Sequence, residues 1–414
     1  VKRIVSYHNT AETPANLDAV YADMLKQDAD VLKVAVAAQS PEDVARVLEL
    51  QRTAPKPTVA FCMGDIGQPS RFLALKFGAP WIYAAFNKER GIAPGLPSMD
   101  EFRTTYPVHA ITPDTQVFGV LGDPVGHSLS PLLHNHVYKK LGVDALYLPF
   151  RVPRGHLPPA LAAYDKIPVR GYSVTIPHKE AAAGLAREPD AYVQFTGSAN
   201  TLVRRDDGHF AAANTDLPAV IDSLKGFLAE KAKRGSDVQL GQLSVLILGA
   251  GGVARSVAFG LHREGVQTTI TARTYERAQK LAEDVKCKAV DWHARHSVNF
   301  DVLVNCTPVG MHPNVDESPC HPSALKPGAV VFDTIYTPET TLLIREARAR
   351  GCDTITGVDM FVRQAARQVE LFTGHVPDPD AMRLIMRKAL SPLTKAFDDP
   401  DAAPPAADGS GAAE

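Results

Sequence analysis

The chain has few cysteines and tryptophans, no excess of charge of either sign, and no long apolar run. Its 414 residues include five Cys and two Trp, and 44 basic side chains nearly balance 46 acidic ones, for a formal net charge of −2. So few and scattered thiols predict neither a disulfide framework nor a zinc site. The balanced charge gives no electrostatic basis for binding nucleic acid or an anionic membrane surface.

Membrane insertion and metal binding are not indicated either. No apolar stretch reaches the roughly 18 residues that a membrane span needs, and the N-terminus lacks the apolar core of a signal peptide. The 14 histidines include no His-Glu-x-x-His pattern, so we expect no metal centre. The composition predicts a reduced, cytoplasmic protein of two or three domains.

What the sequence does contain is a glycine-rich turn between a buried strand and a helix. Val245–Leu248 is an unbroken apolar run, and Gly249, Gly251 and Ala254 follow it with the spacing G-x-G-x-x-A. Such a turn lets the backbone approach a pyrophosphate, which the free N–H groups of the following helix then bind. It predicts a Rossmann unit with a dinucleotide site; a tight turn without a ligand is the alternative.

The residues after the next strand favour NADP over NAD. Thr268–Thr271 is followed by A-R-T-Y-E-R, where an NAD enzyme usually places an acidic residue for the ribose hydroxyls. Arg273 and Arg277 occur there instead, four residues apart and on one face if helical, and guanidinium groups suit a 2′-phosphate. Solvated arginines on a helix surface are the alternative.

The first hundred residues alternate strands and helices, as in a parallel sheet with right-handed crossovers. His8, Lys33 and Arg71 stand at or just after strands, the position that carries the chemistry of a βα-barrel. The apolar runs predict four strands, at Arg3–Tyr7, Val31–Ala37, Thr58–Met63 and Trp81–Phe86.

Several motifs of this region resemble the second half of type I 3-dehydroquinate dehydratase: V-S-Y-H-N-T-A-E-T-P, the lysine in D-V-L-K-V-A-V-A-A-Q, M-G-D-I-G-Q-P-S-R and I-A-P-G-L-P-S. The resemblance implies that Lys33 forms a Schiff base with a substrate ketone, with His8 as general acid and base. It also implies that Arg71 binds the substrate carboxylate. A desolvated lysine is deprotonated enough to attack a carbonyl. The glutamine of the family's A-P-G-Q loop is Leu96 here, and a strand-end lysine without a catalytic role is the alternative for Lys33.

Four strands are half of an eight-stranded barrel. The chain begins with Val rather than Met, so the sequence is either truncated or a barrel remnant. An open parallel edge and an incompletely covered core need a partner. We therefore expect a partner half, a homodimer or loss of dehydratase function, and no dehydratase activity in this 414-residue form.

Three segments before the glycine-rich turn are dense in hydroxyl and amide side chains. They read G-D-P-V-G-H-S-L-S-P, G-Y-S-V-T-I-P-H-K-E and G-S-A-N-T-L, and N-T-D follows at 214–216. Because each ligand hydroxyl needs a partner once desolvated, they predict a pocket for a polyhydroxylated acid. Lys179 beside Asp216 would accept the proton as an alcohol loses hydride. Helix caps, strand edges and a surface ion pair are the alternatives.

These segments, together with G-A-G-G-V-A, N-C-T-P-V-G-M, D-T-I-Y-T-P and G-V-D-M-F-V-R-Q, resemble shikimate dehydrogenase from about Val117 to Leu390. The resemblance implies NADP-dependent, reversible reduction of 3-dehydroshikimate to shikimate, with Lys179 and Asp216 as the catalytic pair. The family's usual N-R-T is A-R-T here, with Ala272 in place of Asn. The implied substrate contacts are Ser128, Ser130, Thr175, Asn200, Asp216, Tyr336 and Gln364. The implied cofactor contacts are Gly249, Ala250, Gly251, Gly252, Val253, Ala254, Arg273, Thr274, Arg277, Thr307 and Gly357.

The predicted fold class is α/β: an incomplete βα-barrel, then a two-lobed unit made of a substrate domain and a Rossmann NADP-binding domain. A helix over Asp359–Phe372 is expected to return to the substrate domain. Three alternatives stay open: a bifunctional enzyme that also dehydrates 3-dehydroquinate, a quinate/shikimate dehydrogenase that uses NAD, and a non-catalytic nucleotide sensor. The predicted boundaries are 1–103 for the partial barrel, 104–116 for a linker, 117–216 with 358–395 for the substrate domain, 217–357 for the Rossmann domain, and 396–414 for a disordered tail.

Overall fold

A computed structural model of the chain describes residues 2–87, 95–235 and 238–391. Within these ranges the strands form three sheets, of three, six and six strands. The predicted α/β fold class is therefore confirmed. The predicted tail at 396–414 and residues 92–94 of the I-A-P-G-L-P-S segment lie outside the described residues.

The first sheet is parallel and has the order β1-β2-β3. Side chains alternate between its two faces. Leu32, Val34 and Val36 are buried against the covering helices, whereas Lys33 faces the other way. This part of the chain comprises β1 (Ile4–Asn9), α1 (Leu17–Leu25), β2 (Val31–Ala37), α2 (Pro41–Thr53), β3 (Thr58–Met63), α3 (Gln68–Lys76) and α4 (Met99–Thr104).

The predicted fourth strand at Trp81–Phe86 is wrong. The only pairing described for this segment is an isolated bridge between Ala85 and Ser98. The segment instead crosses the face of the sheet that the helices leave open, where the Tyr83 ring lies 5.9 Å from the Phe61 ring. Burial of these rings over the apolar side chains of β2 and β3 stabilises the crossing path. The predicted half-barrel thus has three strands in the part of the chain that the structure describes.

The second sheet has the order β5-β4-β6-β8-β9-β7. Strands β4, β5 and β6 are parallel, and the antiparallel pair β8 and β9 extends the sheet as a hairpin. Asp206–Gly208 forms the turn of this hairpin. The elements are β4 (Gln116–Gly122), α5 (Ser130–Leu141), β5 (Ala145–Arg151), α6 (Leu157–Tyr164), β6 (Val169–Val174), α7 (Lys179–Leu185), β7 (Glu188–Pro189), α8 (Ala191–Thr196), β8 (Thr201–Arg204), β9 (Phe210–Ala213) and α9 (Asp216–Ala232).

The third sheet is entirely parallel, with the order β12-β11-β10-β13-β14-β15. This is the doubly wound Rossmann arrangement, in which the strand order reverses between β10 and β13 and ligands bind beyond the carboxyl ends of the strands. The elements are β10 (Ser244–Leu248), α10 (Gly252–Arg263), β11 (Gln267–Ala272), α11 (Tyr275–Asp284), β12 (Lys288–Asp291), β13 (Val302–Asn305), β14 (Val330–Asp333), α12 (Leu342–Ala349) and β15 (Asp353–Ile355).

Two C-terminal helices return the chain to the second sheet. Helix α13 (Gly357–Thr373) packs Val362, Val369 and Phe372 onto this sheet, and the Phe372 ring lies 5.0 Å from that of Phe118. Helix α14 (Pro379–Leu390) packs beside it. The predicted helix over Asp359–Phe372 is thereby confirmed, together with its return to this lobe.

The first sheet is joined to the second through a continuous apolar core. Leu48 of α2 and Phe72 of α3 belong to the same buried cluster as Leu148 of β5 and Tyr164 of α6. The predicted linker adds Tyr106 to this core, with its ring 4.3 Å from that of Phe72. The two sheets therefore form one packed body. Among the described residues, no helix has both the length and the apolarity to cross a membrane.

Candidate functional site

Lys179 and Asp216 form a buried ion pair at the carboxyl edge of the second sheet. Each is the first residue of a helix, α7 and α9 respectively. Lys179 Nζ lies 2.5 Å from Asp216 Oδ2, and the two side chains are only 10% and 6% exposed. In this low-dielectric position each charge depends on the other, because removing one would leave the other buried and unpaired. The arrangement suits a proton donor held beside a carboxylate.

Asn200 and Gln364 join this pair from other parts of the chain. The side-chain amide of Asn200 donates to Asp216 Oδ1 at 2.9 Å and to the Gln364 side-chain oxygen at 3.4 Å. Asn200 Oδ1 in turn accepts the backbone N–H of Thr215 at 2.8 Å. The structure thus brings together four predicted site residues from four motifs, and their polar side chains form one buried cluster.

Ser128, Ser130 and Tyr336 come together at the loop between β4 and α5. The backbone N–H of Ser130 donates to Ser128 Oγ at 3.2 Å. Burial raises the pKa of Tyr336, while hydrogen bonding with the Ser128 side chain and the Leu129 backbone acts in the opposite direction. Tyr336 therefore reaches the serine loop from the third sheet. Thr175 is half-buried just after β6, next to Gly122 at the end of β4.

The glycine-rich turn lies directly beside the ion pair. Gly249 has φ +114°, a backbone conformation that favours glycine, and a Cβ there would be 3.0 Å from the Cys306 carbonyl oxygen. A Cβ on Gly251 would have no neighbour within 4 Å, so the backbone there is open to a ligand. A Cβ on Gly252 would lie 3.0 Å from Lys179 Cδ. With Ala250, Val253 and the fully buried Ala254, these residues form an open cradle at the N-terminus of α10, which suits a phosphate.

Arg273, Thr274 and Arg277 lie at the carboxyl end of β11, but the predicted single helix face is wrong. Helix α11 begins at Tyr275, and its N-cap is Thr274 in extended backbone, so only Arg277 is helical. Arg277 Nη2 donates to the Ala250 carbonyl at 3.4 Å, which places this guanidinium over the glycine-rich turn. Both arginines are exposed and available to an anion.

Thr307 is held by Asn305, which is bonded to Asp333, and the sequence patterns singled out neither Asn305 nor Asp333. Asn305 Oδ1 accepts from the Thr307 hydroxyl at 2.7 Å, and its amide donates to Asp333 Oδ1 at 3.0 Å. Burial raises the pKa of Asp333 to about 6. A Cβ on Gly357 would lie 2.3 Å from the Ile335 carbonyl oxygen, so only glycine fits there. Both missed residues begin motifs already noted, N-C-T-P and D-T-I-Y.

Asn214, the first residue of N-T-D, is a further residue at this site that the sequence patterns did not single out. Its Oδ1 accepts the backbone N–H groups of Asp216 and Leu217, each at 3.1 Å. Its amide donates to the Ser198 carbonyl at 2.8 Å and to Ser256 Oγ on α10 at 3.0 Å. Asn214 thus connects the start of α9 with the helix of the glycine-rich turn, a long-range bond that spacing alone did not indicate.

His8, Lys33 and Arg71 lie on the open face of the first sheet. His8 is exposed, and Lys33 Nζ is 4.5 Å from the centre of the Tyr83 ring. The guanidinium of Arg71 stacks 4.6 Å from the Phe61 ring, and its buried Nε and Nη2 atoms have no hydrogen-bond acceptor among the residues that the structure describes. Burial lowers the pKa of Arg71 to about 10. A buried cation with free donors is suited to an anionic ligand.

Comparison with protein families divides the chain into four matching regions. Residues 1–113 match the family described as type I 3-dehydroquinase, and residues 120–202 match the shikimate dehydrogenase substrate binding domain. Residues 229–317 match shikimate / quinate 5-dehydrogenase, and residues 357–383 match the shikimate 5′-dehydrogenase C-terminal domain.

Two curated relatives illustrate the similarity. The chain is 39% identical over 388 residues to the chloroplastic bifunctional 3-dehydroquinate dehydratase/shikimate dehydrogenase of Arabidopsis thaliana. The alignment covers 91% of this chain and 64% of that protein. The chain thus spans less than two thirds of that relative's length. It is 38% identical over 285 residues to the shikimate dehydrogenase (NADP(+)) of Methanosarcina mazei, covering 66% of this chain and 99% of that protein.

Two solved structures share the fold of the second and third sheets. The shikimate 5-dehydrogenase of Thermus thermophilus, solved in complex with NADP(H) and shikimate, aligns with a TM-score of 0.59 and 33% identity over 66% of this chain and 100% of that one. The quinate dehydrogenase of Corynebacterium glutamicum, solved in complex with NAD, aligns with a TM-score of 0.59 and 29% identity, over 66% of this chain and 98% of that one. Both predicted family resemblances are confirmed.

Proposed function

Because this chain belongs to the shikimate dehydrogenase family, we propose that it catalyses the NADP-dependent, reversible reduction of 3-dehydroshikimate to shikimate. The observation that carries the proposal is the buried Lys179–Asp216 pair against the first residue of the nucleotide helix. A proton donor next to a dinucleotide cradle is what reduction of a ketone by hydride requires.

In the proposed mechanism Lys179 is the acid/base group. During reduction its ammonium donates a proton to the carbonyl oxygen of the substrate, and during oxidation its amine accepts the proton of the hydroxyl. NADP supplies or accepts the hydride when it is bound. Asp216 holds the lysine side chain in place and stabilises its charged form. The side-chain amide of Asn200 fixes the orientation of this carboxylate by donating a hydrogen bond to Asp216 Oδ1. Enclosure of the pair keeps water away from the proton transfer.

We assign substrate binding to the residues that surround this pair. Ser128, Ser130 and Tyr336 would hold the carboxylate, because the Ser128 hydroxyl lies within hydrogen-bonding distance of the Ser130 N–H and of the Tyr336 hydroxyl, where the serine loop meets the third sheet. The ring hydroxyls would be held by Thr175, Asn200, Asp216 and Gln364.

The cofactor assignment follows from the shape and charge of the glycine-rich cradle. The turn from Gly249 to Ala254 would bind the pyrophosphate at the N-terminus of α10. Arg273, Thr274 and Arg277 would bind the 2′-phosphate that distinguishes NADP from NAD, since charge-assisted hydrogen bonds favour a phosphate there. Thr307 and Gly357 would line the nicotinamide end.

A second candidate activity is dehydration of 3-dehydroquinate by the first segment. The observation in its favour is the buried Arg71 guanidinium on the same sheet face as Lys33 and His8, with no acceptor for its Nε and Nη2 within the described ranges of the chain. In this reaction Lys33 would form the Schiff base, His8 would move the proton and Arg71 would bind the carboxylate. The dehydrogenase stays our first expectation for this chain.

We also propose the division of the chain that the sequence predicts. The grouping of β1–β3, β4–β9 and β10–β15 into separate sheets supports a partial barrel, a substrate domain with a C-terminal return, and a Rossmann domain. A homodimer and a cytoplasmic location stay predictions.

The test is NADPH oxidation by the purified chain, started separately with 3-dehydroshikimate and with 3-dehydroquinate. Oxidation with 3-dehydroshikimate alone would support the dehydrogenase and our expectation of an inactive first segment; oxidation with both would support the bifunctional enzyme. Preference for quinate and NAD would favour the catabolic alternative, and no turnover of any substrate would favour the nucleotide sensor.

The variant Lys179→Ala tests the acid/base role assigned to Lys179. We expect it to lower kcat by about 10²- to 10⁴-fold, the usual contribution of general acid–base catalysis, with NADPH binding nearly unchanged. Unchanged turnover would exclude the role assigned to Lys179.

A further inference from the structure

Arg151 connects the first segment of the chain to the loop that carries the two site serines. It is the last residue of β5. Arg151 Nε donates to Asp123 Oδ1 at 2.8 Å, and Arg151 Nη1 lies 3.2 Å from Asp65 Oδ2. Asp65 follows β3 of the first sheet, and Asp123 follows β4 of the second. One guanidinium therefore bridges the carboxyl edges of two sheets.

Asp123 is the residue from which the serine loop begins. Its backbone N–H donates to the Ile176 carbonyl at 2.9 Å, and the Ser128 N–H donates to the Val125 carbonyl at 3.0 Å. Ser130 then starts α5 and is bonded to Ser128 Oγ. Asp123 is the acidic side chain of the stretch between β4 and Ser128, so its contact with Arg151 fixes the near end of the loop by charge.

The far side of the bridge is anchored by the shared core. Helix α3, which starts three residues after Asp65, packs against β5, and α2 packs against α6. Gly64 beside it has φ +86°, and a Cβ on Gly95 would lie 2.3 Å from the Gly64 carbonyl oxygen. Asp65 is therefore held on a tightly packed turn, although its side chain is 62% exposed. Because this turn packs closely against its neighbours, a bond to Asp65 restricts the loop.

We propose that Arg151 is a positioning residue for substrate binding, which holds the loop bearing Ser128 and Ser130 against the first segment of the chain. This inference rests on the proposed dehydrogenase function. It gives the first segment a role in the dehydrogenase that does not depend on dehydratase activity. Its effect falls on binding of the substrate carboxylate, since the bridge ends at the serine loop and not at the Lys179–Asp216 pair or the glycine-rich turn.

The test compares Arg151→Met, Arg151→Lys and Asp65→Asn in the full chain. Arg151→Met keeps the aliphatic volume and removes the charge. We expect it to raise the KM for shikimate about fivefold, with kcat within about twofold and the KM for NADP unchanged; partly exposed charge pairs of this kind have effects of that size. Asp65→Asn should raise the KM about twofold, and Arg151→Lys should restore part of the loss.

The matched control is Arg52→Met, which removes an arginine from an exposed pair with Glu49 on α2. It should leave all three constants unchanged. An unaltered KM for shikimate in Arg151→Met would overturn the inference, and so would an equal rise in the KM for NADP or a rise shared by Arg52→Met, since either would indicate general destabilisation.

Calorimetric titration of the same variants with shikimate separates this inference from the proposed function. A wild type that binds shikimate without oxidising it would contradict the proposed function, and the Kd in Arg151→Met would then decide the inference: a weaker Kd supports it and an equal Kd overturns it. A wild type that neither binds nor oxidises shikimate would overturn both.

Discussion

Gly252, the first residue of the helix after the glycine-rich turn, lies against the side chain of Lys179. A Cβ at position 252 would be 3.0 Å from Lys179 Cδ and 3.4 Å from Ser198 Oγ. Gly252 begins α10, which packs on the third sheet, and Lys179 begins α7, which belongs to the lobe of the second sheet. Their contact brings the nucleotide cradle next to the acid/base group. The backbone of Gly252 is helical, so the close approach of the Lys179 side chain, and not an unusual backbone angle, favours glycine here.

Gly252→Ala should therefore lower kcat. Its methyl group would displace the Lys179 side chain by a few tenths of an ångström or tilt the start of α10. Because misplacement of a reacting group by about 1 Å can lower a rate by about 10²-fold, we expect a loss of up to about tenfold. Steady-state kinetics with shikimate and NADP would measure it. Gly184→Ala is the control, because Gly184 is exposed on α7 with no atom within 4 Å of a Cβ. Equal activity of the two variants would contradict the proposed importance of the contact.

Asn214→Ala should destabilise the protein and lower its activity together. The change removes the acceptor for the backbone N–H groups of Asp216 and Leu217 and leaves them buried. Buried unsatisfied groups cost about 1–3 kcal/mol each, so we expect a loss of about 3 kcal/mol in the free energy of unfolding. Urea denaturation would measure it. Asn299→Ala, at an exposed position, should have little effect; a similar loss in both variants would contradict the prediction.

Replacing Arg273 and Arg277 with Gln should weaken the binding of NADP more than the binding of NAD. Two charge-assisted hydrogen bonds to a phosphate would be lost, and the KM for NADP should rise at least about tenfold. The KM for NAD, which has no 2′-phosphate, should stay within about twofold. Lys280→Gln removes a nearby positive charge from the same helix and serves as control. Equal rises for both cofactors would refute the phosphate contact.

Asp333 should make the stability of the protein depend on pH. Burial raises the pKa of Asp333 from 3.8 to about 6, so the folded protein binds this proton more tightly than the unfolded chain does. The free energy of unfolding should therefore fall as the pH rises from about 4 to about 6, and the loss should persist above that range. The difference between the two pKa values corresponds to about 3 kcal/mol.

Asp333→Asn should remove this dependence. The asparagine amide carries no charge at either pH. The free energy of unfolding of the variant, relative to that of the wild type, should therefore be greater at pH 8 than at pH 4. Denaturation at both pH values would measure the difference, with Asp206→Asn at an exposed position as control. The same dependence on pH in wild type and Asp333→Asn would show that another group is responsible.

The fold class was predictable from the sequence, and four residues that the sequence singled out, Lys179, Asn200, Asp216 and Gln364, lie together in the structure. Local patterns were sufficient for this, such as the buried strand before Gly249 and the polar residues of N-T-D and S-L-S-P. Backbone preferences over a few neighbouring residues determine such elements. Prediction failed at Trp81–Phe86, where a strand-like composition instead supplies rings to the open face of a sheet. It also failed for the shared helix face of Arg273 and Arg277, because Thr274 caps the helix between them.

The sequence by itself determined which residue types are present and which local elements they form, because strand, turn and helix preferences act over a few neighbouring residues. Only the tertiary structure decided that Lys179 lies 2.5 Å from Asp216 and against Gly252, that Asn214 bonds to Ser256, and that Arg151 reaches Asp65. These contacts join residues far apart in the chain. Their geometry depends on how helices and sheets pack around a common core, which no spacing along the sequence specifies.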